Sequence, residues 1–100
     1  MNLSNDQLKI VEQLAGINYT VRQIAIYFDI SVNKLYREFR DKKSTFRYHY
    51  DRGKLISQAD IDMNLQASAK GGNLTAQQQL EKIKSARHFE NLRDQLINGY

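Results

Sequence analysis

No proline occurs in the chain of 100 residues, and its apolar side chains recur at intervals of three and four residues. This spacing is typical of amphipathic helices, and proline is the residue that most disrupts a helix interior. Four residues favour helix N-caps: Ser4, Thr20, Ser31 and Ser44. Gln7 lies three residues after Ser4 and Gln23 three residues after Thr20, so each pair can form a capping box. We therefore predict an all-α protein.

Residues 1–43 are expected to form a head of three helices. Gly16, at the end of the first helix, suits a left-handed stop. From their spacing, the residues expected to face the core of this head are Leu8, Val11, Leu14, Ala15, Ile24, Ala25, Phe28, Leu35 and Phe39.

Residues 44–100 are expected to form a long antiparallel helical hairpin for oligomerisation and partner contact. Its first arm begins after Ser44 and runs to about residue 70, where Gly71–Gly72 favours a tight reversal. The second arm, capped by Asn73 or Thr75, is expected to run to about residue 98.

The first arm of this hairpin has two apolar stripes on nearly opposite sides of the helix. One stripe contains Ile56, Ala59, Met63 and Ala67, and the other contains Ile61, Leu65 and Ala69. One stripe can pack on the second arm, so the other needs either the head or another subunit. Because the head can cover only the N-terminal part of so long a helix, we predict a homo-oligomer. The residues expected to hold it lie on both arms: Ile56, Ala59, Ile61, Met63, Leu65, Leu80 and Ile83.

The segment from Thr20 to Phe39 has the layout of a helix-turn-helix, whose second helix lies in the DNA major groove. The motif needs a small residue where its helices cross, and Ala25 occupies that place. Asp29 stands at the turn position that needs a left-handed backbone; glycine is usual there, but aspartate tolerates the conformation better than most residues. An apolar plug follows the turn, and Leu35 matches the buried position of the second helix.

The exposed face of the second helix carries side chains suited to base edges. Asparagine pairs with adenine, arginine with guanine, and valine contacts the thymine methyl group. The residues expected to face double-stranded DNA are Ser31, Val32, Asn33, Lys34, Tyr36, Arg37 and Arg40. Those expected to meet phosphates are Thr20, Gln23, Lys42, Lys43 and Arg47. The alternative is a three-helix bundle that has this spacing by chance and whose basic residues only make it soluble. Tyr36 and Phe39 are alternatively core residues rather than groups that stack on bases.

Charge is distributed unevenly along the chain, whose formal net charge is +4. Residues 1–54 hold ten Lys and Arg against six Asp and Glu, whereas residues 55–100 hold five of each. The excess is concentrated in residues 34–54, with eight basic side chains and three acidic ones. A basic patch beside a recognition helix is the footprint expected for a phosphate backbone.

Several classes of function have no support in the sequence. Without cysteine there is no disulfide, thiolate nucleophile or Cys-based metal site. No apolar run approaches the length of a membrane span or follows the first methionine, so we expect a soluble intracellular protein, in the host cytoplasm if viral. His49 and His88 are far apart without a ligand set, and His49 reads as a surface or hydrogen-bonded residue. We therefore expect no catalytic residue, metal or cofactor, and no enzyme activity.

The run from Ile24 to Asn73 resembles the small subunit of tailed-phage terminases. In that family an N-terminal helix-turn-helix leads into a long helix with an aromatic, basic beginning, which here is TFRYHYDRGK at residues 45–54. Its end is similar to the Tyr-x-Arg-Gly-Lys-like sequence of the family. The segment AKGGNLTA at residues 69–76 resembles the small-residue turn between the two oligomerisation helices of the family.

This resemblance implies a role in viral genome packaging. Small terminase subunits assemble as rings, recognise a packaging site on concatemeric DNA, and recruit the large subunit, which carries the ATPase and nuclease. The hairpin would then form the ring, and the last dozen residues, ending at Tyr100, would contact the large terminase subunit.

Two other functions fit the same residues. The segment from Ile30 to Arg40 is also similar to the recognition segment of arabinose-type bacterial activators, so a helix-turn-helix transcriptional regulator is one alternative. The other is a structural virion or adaptor protein that uses the helical fold for protein contacts.

Overall fold

A computed structural model describes residues 2–98 of the chain, with the side chains of residues 2–97. These residues form five α-helices and no β-strand: α1 (Asn5–Gly16), α2 (Val21–Tyr27), α3 (Val32–Arg40), α4 (Thr45–Lys70) and α5 (Leu74–Asn98). The predicted all-α class is therefore confirmed. Within the described range, no helix is both long enough and apolar enough to cross a membrane. Gly99 and Tyr100, part of the expected partner contact, lie outside the described residues.

The helices begin at the predicted caps. In the capping box of α1, the Gln7 backbone N–H donates to Ser4 Oγ at 3.1 Å, and the Ser4 N–H donates to Gln7 Oε1 at 2.9 Å. Thr20 and Gln23 make the same pair of bonds at the start of α2. Single side-chain caps begin the other three helices: Ser31, Ser44 and, rather than Thr75, Asn73.

The end of α1 differs from the prediction, because Gly16 is not left-handed. Asn18 takes the positive backbone angle instead, with φ of 69°, which asparagine tolerates. A Cβ on Gly16 would lie 3.1 Å from the carbonyl oxygen of Gly53 and 3.2 Å from the Cβ of Ser57. Gly16 therefore serves the close approach of α1 to α4.

The chain divides into two compact units, Met1–Ala59 and Asp60–Tyr100. The first unit continues beyond residue 43, the predicted end of the head, because the first turns of α4 place Phe46 and Tyr50 in its core. The buried cluster of this unit consists of Val11, Ala15, Val21, Ile24, Ala25, Leu35, Phe46 and Tyr50.

Most of the predicted core residues are buried in this cluster or touch it. Val11, Ala15, Ile24, Ala25 and Leu35 have no exposed surface, and Leu8 is also buried. Three other predicted residues are half-buried and pack against the cluster: Leu14, Phe28 and Phe39. The periodicity did not indicate three members of the buried cluster: Val21, Phe46 and Tyr50.

In the second unit, the end of α4 and the start of α5 are joined by a turn in which Gly72 has a φ of 94°. The Gln77 side-chain amide donates to the Ala69 carbonyl at 3.0 Å, and Arg87 pairs with Asp62 at 2.6 Å. Among the described side chains of this unit, those that are buried are Ala69 and Ala76.

The α4 surface that lines a groove with α5 includes Asp62, Met63 and Gln66, opposite Leu80 and Ile83. This surface includes Met63 of the first predicted stripe, whereas Asp62 and Gln66 belong to neither stripe. As a result neither stripe is fully covered. Ile61 is 57% exposed and Met63 is 58% exposed.

Candidate nucleic-acid interface

The turn between α2 and α3 joins the two helices within a few residues. The Asp29 N–H donates to the Ile26 carbonyl at 3.1 Å, and the Ile30 N–H donates to the Ala25 carbonyl at 2.9 Å. Asp29 itself is left-handed, with φ of 57°, as its position in the turn predicts. Ala25, the small residue predicted at the helix crossing, has no exposed surface. Its small side chain allows α2 and α3 to pack closely.

Helix α3 buries one side and exposes the other. Leu35 is fully buried, and Val32 and Tyr36 are half-buried and pack against the core. Tyr36 therefore presents only part of its side chain to a ligand. The exposed predicted residues of α3 and its cap are Ser31, Asn33, Lys34, Arg37 and Arg40.

The predicted phosphate contacts lie on both sides of α3 in the sequence, and four of the five are exposed. The side-chain oxygens of Thr20 and Gln23 are used in the capping box, which leaves the hydroxyl hydrogen and the amide N–H₂ as their donors. Lys42 and Lys43 are exposed in the turn after α3, where the Lys43 N–H donates to Asp41 Oδ1 at 3.0 Å.

Arg47 differs from the other predicted phosphate contacts, because its guanidinium is bonded within the chain. Its Nη1 donates to the Phe39 carbonyl at 2.9 Å, and its Nε donates to Asp51 Oδ2 at 2.9 Å. The guanidinium carbon also lies 4.4 Å from the centre of the Phe39 ring. The side chain is 27% exposed, so most of its surface is covered within the chain.

Acidic residues reduce the positive charge of the surface formed by α3 and the turn that follows it. A shallow groove beside α3 is lined by Ile30, Ser31, Lys34 and Arg37, and also by the acidic Asp29 and Glu38. Three cations and one further acid follow along the chain, so the five cations Lys34, Arg37, Arg40, Lys42 and Lys43 still outnumber the three acids Asp29, Glu38 and Asp41. The surface is therefore positive overall.

A second polar cluster, which we call the α1–α4 clamp, consists of Glu12, His49 and Arg52. The Glu12 carboxylate lies 2.5 Å from His49 Nδ1 and accepts from Arg52 Nη1 at 2.6 Å. Gly53, the residue after Arg52 in α4, lies close to the backbone of Glu12. His49 is thus the hydrogen-bonded residue that we expected, but its partner was not predicted.

The clamp lowers the pKa of Glu12 below its ordinary value of 4.5, chiefly through the hydrogen bond from His49 and also through the Arg52 charge. A carboxyl whose pKa is lowered by folding stabilises the folded state above its unfolded pKa, and this contribution is lost as the pH falls through the folded pKa. The clamp therefore contributes fully at neutral pH and weakens in acid.

We expect Glu12→Gln to lower the free energy of unfolding at pH 7 by about 1–2 kcal/mol, because the charge-assisted bonds to His49 and Arg52 are lost. Its stability should also fall less steeply than that of the wild type as the pH is lowered below 4.5, the ordinary pKa of the carboxyl. Urea unfolding at each pH measures both effects. The exposed Glu81→Gln is the control, and parallel curves for wild type and Glu12→Gln would contradict the role of the clamp.

The structure brings one group of predicted DNA contacts together: Asn33, Lys34, Arg37 and Arg40 on α3, followed by Lys42 and Lys43. In the described part of the chain, no group of three or more His, Asp or Glu side chains is placed to hold a metal ion. Comparison of the chain with protein-family models, with curated proteins and with solved structures finds no match.

Proposed function

We propose that the protein binds double-stranded DNA through the exposed face of α3, as the second helix of a helix-turn-helix. The observation that carries this proposal is that α3 has one buried side and one exposed, basic side. Leu35 is fully buried against α2, whereas Arg37 and Arg40 are exposed. The short turn at left-handed Asp29 supports the same layout.

The side chains of this face suit both parts of DNA recognition. Arginine pairs in bidentate fashion with guanine and asparagine with adenine, so Arg37, Arg40 and Asn33 are the proposed base readers. Each good bidentate contact is worth about 1–3 kcal/mol of discrimination. Lys42 and Lys43 are proposed to meet phosphates, which orient a protein on the duplex without reading sequence.

We further propose that the chain self-associates through its second unit. Two buried alanines and the half-buried Leu65, Leu80 and Ile83 offer little apolar burial against the entropy lost when some forty residues become ordered, so this unit needs a further surface. Large apolar side chains are available for it, all exposed: Ile61, Met63, Leu74, Phe89, Leu92, Leu96 and Ile97. A second copy of the chain would cover them.

A DNA-binding head joined to an assembly module is the combination found in small terminase subunits, which the sequence resembles. We propose initiation of viral genome packaging as the biological role, with the large terminase subunit as the further partner. A transcriptional regulator would use the same DNA contacts and differs in its assembly state.

Light scattering with and without a mixed-sequence DNA duplex, at low and moderate salt, tests this proposal. A closed assembly of many subunits that binds the duplex supports the packaging role. A monomer or dimer that binds the duplex supports the transcriptional regulator instead. An assembly that ignores DNA at low salt would refute DNA binding and favour the structural or adaptor protein.

Self-association predicts a specific effect of Ile61→Asp. The Ile61 side chain is exposed on α4, so aspartate is tolerated in a single chain but places a charge in an apolar contact between chains. We expect the assembly to dissociate, with a lower mass by light scattering and unchanged helical circular dichroism. Asn64→Asp adds the same charge at a neighbouring exposed position and should leave the mass unchanged; a wild-type mass for Ile61→Asp would contradict this interface.

A further inference from the structure

The last turn of α3 ends in carbonyl groups that bond to the start of α4. The Ser44 hydroxyl donates to the Glu38 carbonyl at 2.6 Å, and Arg47 Nη1 donates to the Phe39 carbonyl at 2.9 Å. The last carbonyls of a helix have no partner within it, so these bonds satisfy groups that would otherwise need water. A cation at this end also interacts favourably with the helix dipole.

The Arg47 guanidinium is held on three sides. The Phe39 carbonyl lies on one edge, the Asp51 carboxylate on another, and the Phe39 ring lies against its face. That ring in turn meets Tyr50 of α4 edge to face, with 5.2 Å between ring centres. Planar shape and forked donors allow arginine to make all of these contacts at once, whereas lysine supplies only a point charge.

We propose that Arg47 is a positioning residue that fixes the C-terminal end of α3, rather than the phosphate contact that its charge suggests. Arg37 and Arg40 belong to that same last turn, and the Asp41 N–H closes it by donating to the Arg37 carbonyl. By anchoring the turn on α4, Arg47 sets the direction in which these two arginines leave the helix. This inference rests on the proposed DNA binding by α3.

The two roles of Arg47 predict different results for Arg47→Lys. A phosphate contact needs a positive charge, so lysine would preserve most of the affinity and the salt dependence. An anchor needs the several N–H donors and the flat face of the guanidinium, so lysine would lower the DNA affinity nearly as much as alanine.

The test measures duplex binding by fluorescence anisotropy across a salt series for wild type, Arg47→Lys and Arg47→Ala. We expect both variants to bind roughly ten-fold more weakly, since each loses a charge-assisted hydrogen bond. Arg47→Lys should keep the wild-type salt slope. Lys43→Ala, which removes an exposed cation, is the control and should reduce that slope by about one. Wild-type affinity in Arg47→Lys would overturn the positioning role.

Hydrogen exchange of the free protein separates this inference from DNA binding itself. In Arg47→Lys the backbone amides of residues 39–41 should exchange faster than in the wild type, while those at the centre of α1 should not change. Unchanged exchange at residues 39–41 would overturn the anchor. If the wild type binds no duplex, the proposed function fails, and the exchange rates alone decide whether Arg47 holds α3.

Discussion

Replacing Gly53 with alanine is expected to destabilise the protein by about 3 kcal/mol or more, as severe overpacking does. A Cβ on Gly53 would lie 2.2 Å from the Glu12 carbonyl oxygen and 2.6 Å from the Glu12 Cα. Both are backbone atoms of α1, so no side chain can move aside. Within an ordinary helix the same substitution stabilises the protein by about 1 kcal/mol. A loss of stability would therefore show that Gly53 is needed for the close contact with α1.

Two other glycines provide matched controls for this prediction. A Cβ on Gly71 would make an ordinary contact, 3.4 Å from the Ser68 carbonyl, whereas one on Gly16 would lie 3.1 Å from the Gly53 carbonyl. Chemical unfolding should therefore rank the losses as Gly53→Ala first, Gly16→Ala second and Gly71→Ala smallest. A neutral or stabilising Gly53→Ala would contradict the close crossing of α1 and α4.

Removing both Arg37 and Arg40 is expected to weaken duplex binding at least about 30-fold, if each makes one base contact of the usual strength. Because two cations are lost, the dependence of affinity on salt should also become flatter. Both side chains are exposed on α3, and substitution by alanine should leave the thermal stability almost unchanged. Anisotropy titrations with a labelled duplex measure the affinity and the salt slope.

A double variant in α5 controls for the loss of charge. Lys82→Ala with Lys84→Ala removes the same number of cations from exposed positions outside the proposed interface. It should retain nearly the wild-type affinity. Equal losses in the two double variants would mean that overall charge, rather than the face of α3, governs binding.

Features that depend on a few neighbouring residues could be predicted from the sequence. The capping boxes of Ser4 and Thr20 are closed by bonds that span three residues, so the residue types at those positions are enough to indicate them. The same holds for Asp29, whose left-handed backbone follows from the tight turn between α2 and α3. Local chemistry therefore predicted the boundaries of the helices well.

Features that depend on distant contacts were missed. Glu12 meets His49 and Arg52 across nearly forty residues, and no local pattern links α1 to that part of α4. Gly16 illustrates the same limit: its place at a helix end suggested a left-handed stop, but the approach of Gly53 explains the small residue. In the sequence, the pair Arg52-Gly53 is only part of a segment that resembles a family, whereas in the structure both residues contact Glu12 of α1.

The candidate site was predictable only in part, because some of its features are local and others depend on contacts between helices. Helical periodicity separates buried Leu35 from exposed Arg37 on α3, because both positions lie on one regular element. Arg47 lies on the next helix, and its bond to Phe39 depends on how α4 begins after the turn. Charge alone grouped Arg47 with Lys42 and Lys43, although its surroundings differ from theirs.

Binding of the wild-type protein to a labelled DNA duplex across a salt series tests the central claim most directly. Five cations on or just after α3 are exposed: Lys34, Arg37, Arg40, Lys42 and Lys43. If most of them displace counterions from the duplex, the logarithm of the binding constant should fall with the logarithm of salt concentration with a slope of about −3 to −5. Absence of binding at low salt, or a slope near zero, would contradict DNA recognition by α3.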